Sequence, residues 1–332
     1  MRTLSPVIAL IAFCLVAAPI QAGFRLGRAL QSSQTSGAQP PATAQSEQKQ
    51  DEPIRLSSKL VLVPVSASDS SGNPVTNLTT SDIVIAENDK PQQVVSLGDP
   101  GKTPLDIALL FDVSGSTQKQ FDFEQQAAVR FVKEDLKPTD GISLFAIGLT
   151  PRMVLARTAE KDQAINGIMS IKPSNEPTAF FDAIVQAVHY LDQTADSGSR
   201  RVVLVISDGE ENYSKTSQLA DALKALEQND CVLYSINPNG GGVTMNRVSQ
   251  QGEAVMEDMA SQTGGKAFVP ARIEDLDSVF NQIADELKAQ YLFGYYANDE
   301  SADGGFRRIT VRAPKRPDLR LRARQGYYAP KP

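Results

Sequence analysis

Oxygen-bearing side chains follow directly after a strongly apolar segment in the body of the chain. Residues 105–116 read LDIALLFDVSGS, so that Asp112, Ser114 and Ser116 alternate with small or apolar residues. The apolar part is too short to span a membrane and is typical of a strand buried on both faces. A carboxylate and two hydroxyls at the end of a strand are hard oxygen donors, which suit Mg²⁺ or Mn²⁺ better than a soft metal. The segment therefore predicts a divalent-cation site.

The elements that must position this site alternate between strand and helix over about residues 105–290. Residues 178–191 have apolar side chains at helical spacing and predict an amphipathic helix with Thr178 at its start. Residues 201–211 (RVVLVISDGEE) predict a buried strand that ends near Asp208. Strands separated by helices predict an α/β fold with a doubly wound, mostly parallel sheet, and such sheets bind ligands at the carboxyl ends of their strands.

Three separate segments carry a resemblance to a known family. DVSGS (112–116) resembles the Asp-x-Ser-x-Ser motif of the von Willebrand factor type A domain, and TAFFDA (178–183) and SDG (207–209) resemble its threonine and second-aspartate segments. One departure is Pro177, where the family usually has Gly. In that family these segments form a metal-ion-dependent adhesion site on a Rossmann-like sheet. Three motifs in the right order are far more specific than one.

The resemblance also assigns roles. It implies that Ser114 and Ser116 bind the metal directly, that Thr178 binds directly or through water, and that Asp112 and Asp208 act directly or from a second shell. The expected ion is Mg²⁺, with Mn²⁺ or Ca²⁺ as alternatives. An open coordination position would then accept an exposed acidic residue of a partner protein, which predicts a protein-binding or adhesion module.

Two other functions are alternatives: a Mg²⁺-dependent hydrolase, and a scaffold whose metal only ties its loops together. Against an enzyme, the single histidine, His189, lies in the middle of a predicted helix, and no phosphate-binding loop of Walker type is present. Ser114 also stands where a second acid would follow an aspartate nucleophile. Glu210 and Glu211 are candidates for an extra metal ligand or a base, although we expect charged residues at the rim. The chain is therefore predicted not to be an enzyme.

Both ends of the folded part predict β-structure. Residues 54–97 and 290–328 show period-two alternation with turn residues between the strands. A sheet built from either set alone would have exposed edge strands. We therefore predict one β-sandwich, formed by flanks 54–100 and 290–332, into which the type A domain (101–289) is inserted. The flanks resemble those of bacterial secreted proteins in which such a domain lies between β-rich ends, on the basis of VSASDSSGNPV, QYLFGYY and RQGYYAP. Asp299 and Asp303 are predicted to lie in a hairpin tip, with Ca²⁺ binding as the alternative.

The amino-terminal part predicts export. Residues 1–22 have the charged, apolar and small-residue order of a signal peptide, with an uncleaved anchor as the alternative, and residues 23–53 are predicted to be a disordered linker. We expect a secreted protein or one in the periplasm or cell envelope, with membrane contact only through this segment. After cleavage Cys231 would be the one remaining cysteine, predicted to be a buried structural thiol. The formal net charge of −6 and the lack of basic blocks argue against a nucleic-acid partner.

Overall fold

The computed structural model describes residues 60–99, 101–116, 120–240, 247–298 and 301–331. The predicted signal peptide (1–22) and linker (23–53) lie outside these residues, as does Asp299. In chain order the helices and strands are β1 (Leu60–Ser68), β2 (Val84–Glu87), β3 (Lys90–Gln92), β4 (Val94–Gly98), β5 (Leu105–Asp112), α1 (Phe121–Glu134), β6 (Gly141–Ile147), β7 (Arg152–Thr158), α2 (Lys161–Ser170), α3 (Phe180–Thr194), β8 (Arg200–Ile206), α4 (Leu219–Gln228), β9 (Cys231–Ile236), α5 (Arg247–Thr263), β10 (Ala267–Phe268), α6 (Leu276–Ala289), β11 (Tyr291–Tyr296), β12 (Phe306–Arg312), β13 (Arg320–Ala323) and β14 (Gly326–Tyr328).

A six-stranded sheet in the order β10-β9-β8-β5-β6-β7 forms the centre. Its strands are parallel except β7, which returns antiparallel to β6. Alternate residues of β5 enter two different cores: Leu109 and Phe111 pack with α1, α2 and α6, whereas Ala108 and Leu110 pack with α3, α4 and α5. Because both faces are covered by helices, β5 is apolar almost throughout. The predicted doubly wound sheet is confirmed.

The two ends of the described chain interleave in two antiparallel sheets. One has the order β13-β1-β11-β4 and the other β14-β12-β2-β3, so each combines strands from before and after the central sheet. The inner faces share one core, to which β1 contributes Val63 and Val65, β2 Ile85 and β11 Phe293. This arrangement confirms the expected β-sandwich with the α/β sheet inserted, since each flank supplies edges that the other needs.

Three local details differ from the sequence-based expectation. Within the alternating segment 54–97, residues 75–83 form no strand: β2 starts only at Val84, and the Leu78 amide donates a 2.9 Å hydrogen bond to the Tyr291 hydroxyl instead of to a neighbouring strand. Residues 91–97, at the end of the same alternating segment, are divided between β3 and β4, which belong to different sheets. Helix α3 begins at Phe180, two residues after Thr178. In the described residues no helix has the length and apolar character that a membrane span requires.

Candidate metal centre

The two aspartates of the predicted site lie side by side at the carboxyl edge of the central sheet. Asp112 is the last residue of β5, and Asp208 comes two residues after the end of the neighbouring parallel strand β8. Both side chains are inaccessible to solvent, with exposed fractions of 0% and 1%. Adjacent parallel strands end at the same edge, which is why residues so far apart in the sequence meet here.

The Asp112 carboxylate accepts hydrogen bonds from two neighbouring segments. The Ser207 hydroxyl donates to Oδ2 at 2.6 Å, and the Ser114 amide donates to Oδ1 at 2.9 Å. Burial nevertheless raises the Asp112 pKa to about 6, and the charge of Asp208 acts in the same direction. A carboxylate whose ionised form is disfavoured by burial and by a second carboxylate gains most from a cation placed between the two.

The two motif serines provide neutral oxygens beside Asp112. Their hydroxyls lie 3.0 Å apart, within hydrogen-bond distance of one another. Ser114 is buried, at 6% exposure, whereas Ser116 is exposed to solvent. The site therefore has a closed side formed by the aspartates and an accessible side at Ser116.

Thr178 is brought to the same edge by main-chain contacts with the loop after β8. Its amide donates to Asn212 Oδ1 at 2.8 Å, and its carbonyl accepts from the amides of Asn212 and Tyr213. The side chain is buried, at 1% exposure. A further main-chain bond, from the Ser174 amide to the Val113 carbonyl, ties the segment before Thr178 to the segment after β5. The three predicted segments are thus joined to one another.

The three acidic residues that follow β8 each accept hydrogen bonds from a different part of the chain. Asp208 accepts hydrogen bonds from the Asn239 side-chain amide at 3.1 Å and from the Glu210 amide at 3.2 Å. Glu210 in turn accepts a 2.7 Å bond from the Ser249 hydroxyl. Glu211 accepts from the Phe181 amide at 3.0 Å, in the first turn of α3, where a negative charge stabilises the helix end.

Sequence reasoning did not single out Ser207, Asn212 or Asn239. Each supports a predicted site residue through a side-chain contact with a distant segment. Ser207 was within the recognised SDG segment, and its place directly before Asp208 was the only available signal. Nothing in the pattern around the two asparagines distinguishes them from ordinary loop residues.

The donor set fits a small hard cation. The hydrogen-bond donors to Asp112 and Asp208 described above are neutral hydroxyls and amides, and a bound cation would add positive charge beside these two buried carboxylates. Carboxylate and hydroxyl oxygens are the ligands that Mg²⁺ and Mn²⁺ prefer. Among the described residues no three His, Cys, Asp or Glu side chains are grouped closely enough to hold an ion without such hydroxyls.

The remaining candidates lie apart from this edge. His189 is exposed on α3, and Cys231 is a free, buried thiol at the start of β9, where burial raises its pKa. Asp303 forms a 3.0 Å ion pair with Arg307 and accepts the Gly305 amide at 2.8 Å, as in an ordinary hairpin tip.

Comparison with known proteins gives one family. The model of the von Willebrand factor type A domain matches residues 106–282. No curated protein sequence matches the chain. Similar solved structures include an aerotolerance-related membrane protein from Bacteroides fragilis (19% identity, 55% of this chain and 98% of the other, TM-score 0.45). They also include BatB from Bacteroides thetaiotaomicron (20%, 55% and 99%, 0.42) and the PilB minor pilin from Streptococcus sanguinis (13%, 57% and 62%, 0.46).

Proposed function

Because the chain belongs to the von Willebrand factor type A domain family, which consists mainly of interaction modules, we propose that it binds a partner protein through a divalent cation. The partner supplies an acidic oxygen. Five side chains hold the cation: Asp112, Ser114, Ser116, Thr178 and Asp208. Mg²⁺ is the favoured ion, with Mn²⁺ or Ca²⁺ as substitutes. The protein is exported and acts outside the cell, in the periplasm or in the envelope, and it is not an enzyme.

The observation that carries this proposal is the pair of buried carboxylates, Asp112 and Asp208, at the carboxyl edge of the central sheet. Asp112 and Asp208 are buried at adjacent strand ends, and burial together with the charge of Asp208 raises the Asp112 pKa to about 6. Neutral hydroxyls from Ser114 and Ser116 stand beside them, 3.0 Å apart. A hard divalent cation supplies positive charge that favours the ionised form of both aspartates.

The same geometry favours recognition of an acidic group. Two of the five proposed ligands are charged and three are hydroxyls, so the first shell does not saturate a dication with negative charge. Ser116 faces solvent, and this side of the site is where a partner carboxylate would approach. The formal net charge of the chain is −6, which by itself would repel such a group. A bound cation reverses the sign of the potential at this one place.

The test is cation binding measured together with partner binding. We expect the wild-type protein to bind Mn²⁺ in isothermal titration calorimetry, and Ser114→Ala and Asp208→Ala to bind it at least ten-fold more weakly, as loss of a ligand implies. Ser143→Ala removes a buried hydroxyl from β6 and serves as the control. Capture of a partner from an envelope extract should be lost in chelator and in the two site variants.

The rival functions give different results in the same experiment. If capture survives in chelator while Ser114→Ala lowers Mn²⁺ affinity, the metal is structural and the adhesion proposal fails. Turnover of a generic phosphoester that disappears in Asp112→Ala would instead establish a metal-dependent hydrolase.

A further inference from the structure

A third carboxyl group, Glu124, is buried close to the two aspartates. It lies in the first turn of α1, the helix that follows β5 and the motif serines. Its side chain has no exposed surface, and neither of its carboxyl oxygens has a hydrogen-bond partner among the described residues. An unpaired buried carboxyl is costly, because nothing replaces the water it has lost.

The position of Glu124 relative to the site follows from the start of α1, where the Phe121 ring packs against the ring of Phe111, the residue before Asp112, with centroids 6.1 Å apart. Burial raises the Glu124 pKa well above its ordinary value, and the charges of Asp112 and Asp208 raise it further. Only carboxylates near one another in a poorly solvated region interact in this way. Helix α1 thus brings Glu124 within electrostatic range of both aspartates.

Packing does not account for an acid at this position. The same helix places Phe121, Ala127 and Ala128 in the apolar core under α1, where Leu or Met in place of Glu124 would carry no desolvation cost. The adjacent Gln125 is also buried, but its amide donates to the carbonyls of Ile168 and Ile171 at 2.6 and 3.1 Å. Gln125 therefore has a structural role between two helices that Glu124 lacks.

Direct ligation by all three acids does not fit the spacing. In the described part of the chain no group of three acidic, histidine or cysteine side chains is close enough to surround an ion. A carboxylate beyond direct reach can still act through one water molecule, since a water bound to a cation donates strong hydrogen bonds.

We propose that Glu124 is an outer-sphere ligand of the cation site, accepting a hydrogen bond from a cation-bound water on the closed side. This inference rests on the proposed cation site. The water supplies a hydrogen-bond donor to the Glu124 carboxyl group, whose oxygens have no partner among the described residues, and the cation supplies the opposite charge. Glu124 raises the affinity for the cation without occupying the accessible position beside Ser116, which stays open to a partner.

The experiment measures Mn²⁺ affinity by isothermal titration calorimetry on the full chain. Glu124→Gln keeps the size of the side chain and removes its charge, and we expect about ten- to hundred-fold weaker binding, as for other outer-sphere partners. Glu227→Gln is the matched control, because Glu227 is another partly desolvated carboxyl. It lies near the end of α4, just before β9, hence at the opposite edge of the central sheet. The Glu227→Gln variant should bind Mn²⁺ with the affinity of the wild-type protein.

Glu124→Met is the second variant, because an apolar side chain suits the surrounding core and preserves the fold, which circular dichroism and thermal melting verify. Weak Mn²⁺ binding by this folded variant supports the outer-sphere role. Wild-type affinity in either folded variant overturns it, even if Ser114→Ala confirms the cation site. If the folded wild-type protein binds no Mn²⁺ at millimolar concentration, the proposed function fails and this inference fails with it.

Discussion

The Ser207 hydroxyl donates a 2.6 Å hydrogen bond to Asp112 Oδ2, and this bond joins the ends of the two adjacent strands β8 and β5. It is a charge-assisted bond in a region without solvent, since both residues are fully buried. The same hydroxyl accepts the Gly209 amide at 2.9 Å, so it also orders the loop that carries Asp208. One serine thus links the two carboxylates of the site.

We predict that Ser207→Ala destabilises the protein and weakens cation binding. Loss of a hydrogen bond to a charged group costs about 1.5–3 kcal/mol. Because that bond lowers the Asp112 pKa, its loss lets protons compete better with the cation at Asp112. Urea unfolding and Mn²⁺ calorimetry measure the two effects. Ser235→Ala is the control: it is a buried serine on the next strand, and its hydroxyl has no described hydrogen bond. Equal behaviour of the two variants would refute the prediction.

Asp106, the one charged residue in the apolar part of β5, forms an ion pair with Arg157, which is distant in the sequence. It is fully buried and accepts Arg157 Nε at 2.5 Å and the Asp196 amide at 2.9 Å. Arg157→Met should lower the free energy of unfolding by about 3–5 kcal/mol, because it leaves a buried charge unpaired. Urea unfolding measures this loss, and adding Asp106→Asn should recover part of it. Arg152 is exposed at the start of β7, the strand that also carries Arg157, and Arg152→Met should change the free energy of unfolding little. A similar loss in both arginine variants would count against the ion pair.

The two flanks are joined by a buried carboxyl. Glu87 of β2, with 2% exposure, accepts the hydroxyls of Tyr295 at 2.6 Å and Tyr327 at 2.9 Å. Tyr295→Phe should cost about 1.5–3 kcal/mol in urea unfolding, since the remaining donor cannot fully solvate the carboxylate. Tyr296→Phe alters the next residue of the same strand, which is half exposed, and should stay within about 0.5 kcal/mol of wild type. If the two variants unfold alike, Glu87 does not join the flanks energetically.

Glu227 predicts a pH dependence that is independent of the cation site. Partial burial raises its pKa from 4.5 to about 7, so the folded state binds more protons than the unfolded state between these values. Stability contributed by this group therefore falls as pH rises from 4.5 to 7. Glu227→Gln removes that loss and should stabilise the protein at pH 8, relative to wild type, by on the order of 1 kcal/mol, a value reduced for partial solvent screening. At pH 4 the two proteins should unfold alike in urea; an equal difference at both pH values would contradict the assignment.

The sequence by itself determined the architecture and the edge of the sheet at which the two aspartates lie. Period-two and helical patterns are local properties, so 105–112 and 201–206 could be recognised as buried strands from their own residues. The rule that parallel strands present ligands at their carboxyl ends then placed Asp112 and Asp208 at one edge without coordinates. The alternation in both flanks likewise predicted a shared sandwich, because unpaired edges require a partner strand.

Only the tertiary structure decided which side chains support the site and where local patterns are overridden. Leu78 lies in the alternating segment 54–97, yet its amide donates to the Tyr291 hydroxyl, more than two hundred residues away in sequence, and not to a neighbouring strand. In the sequence Glu124 is an ordinary acidic residue in the first turn of a helix, and only the structure shows that its side chain is fully buried. Ser207 and Asn239 are ordinary loop residues until folding points them at the aspartates. Such contacts depend on the packing of distant segments, and a hydroxyl or amide carries no local pattern that reveals which distant group it will meet.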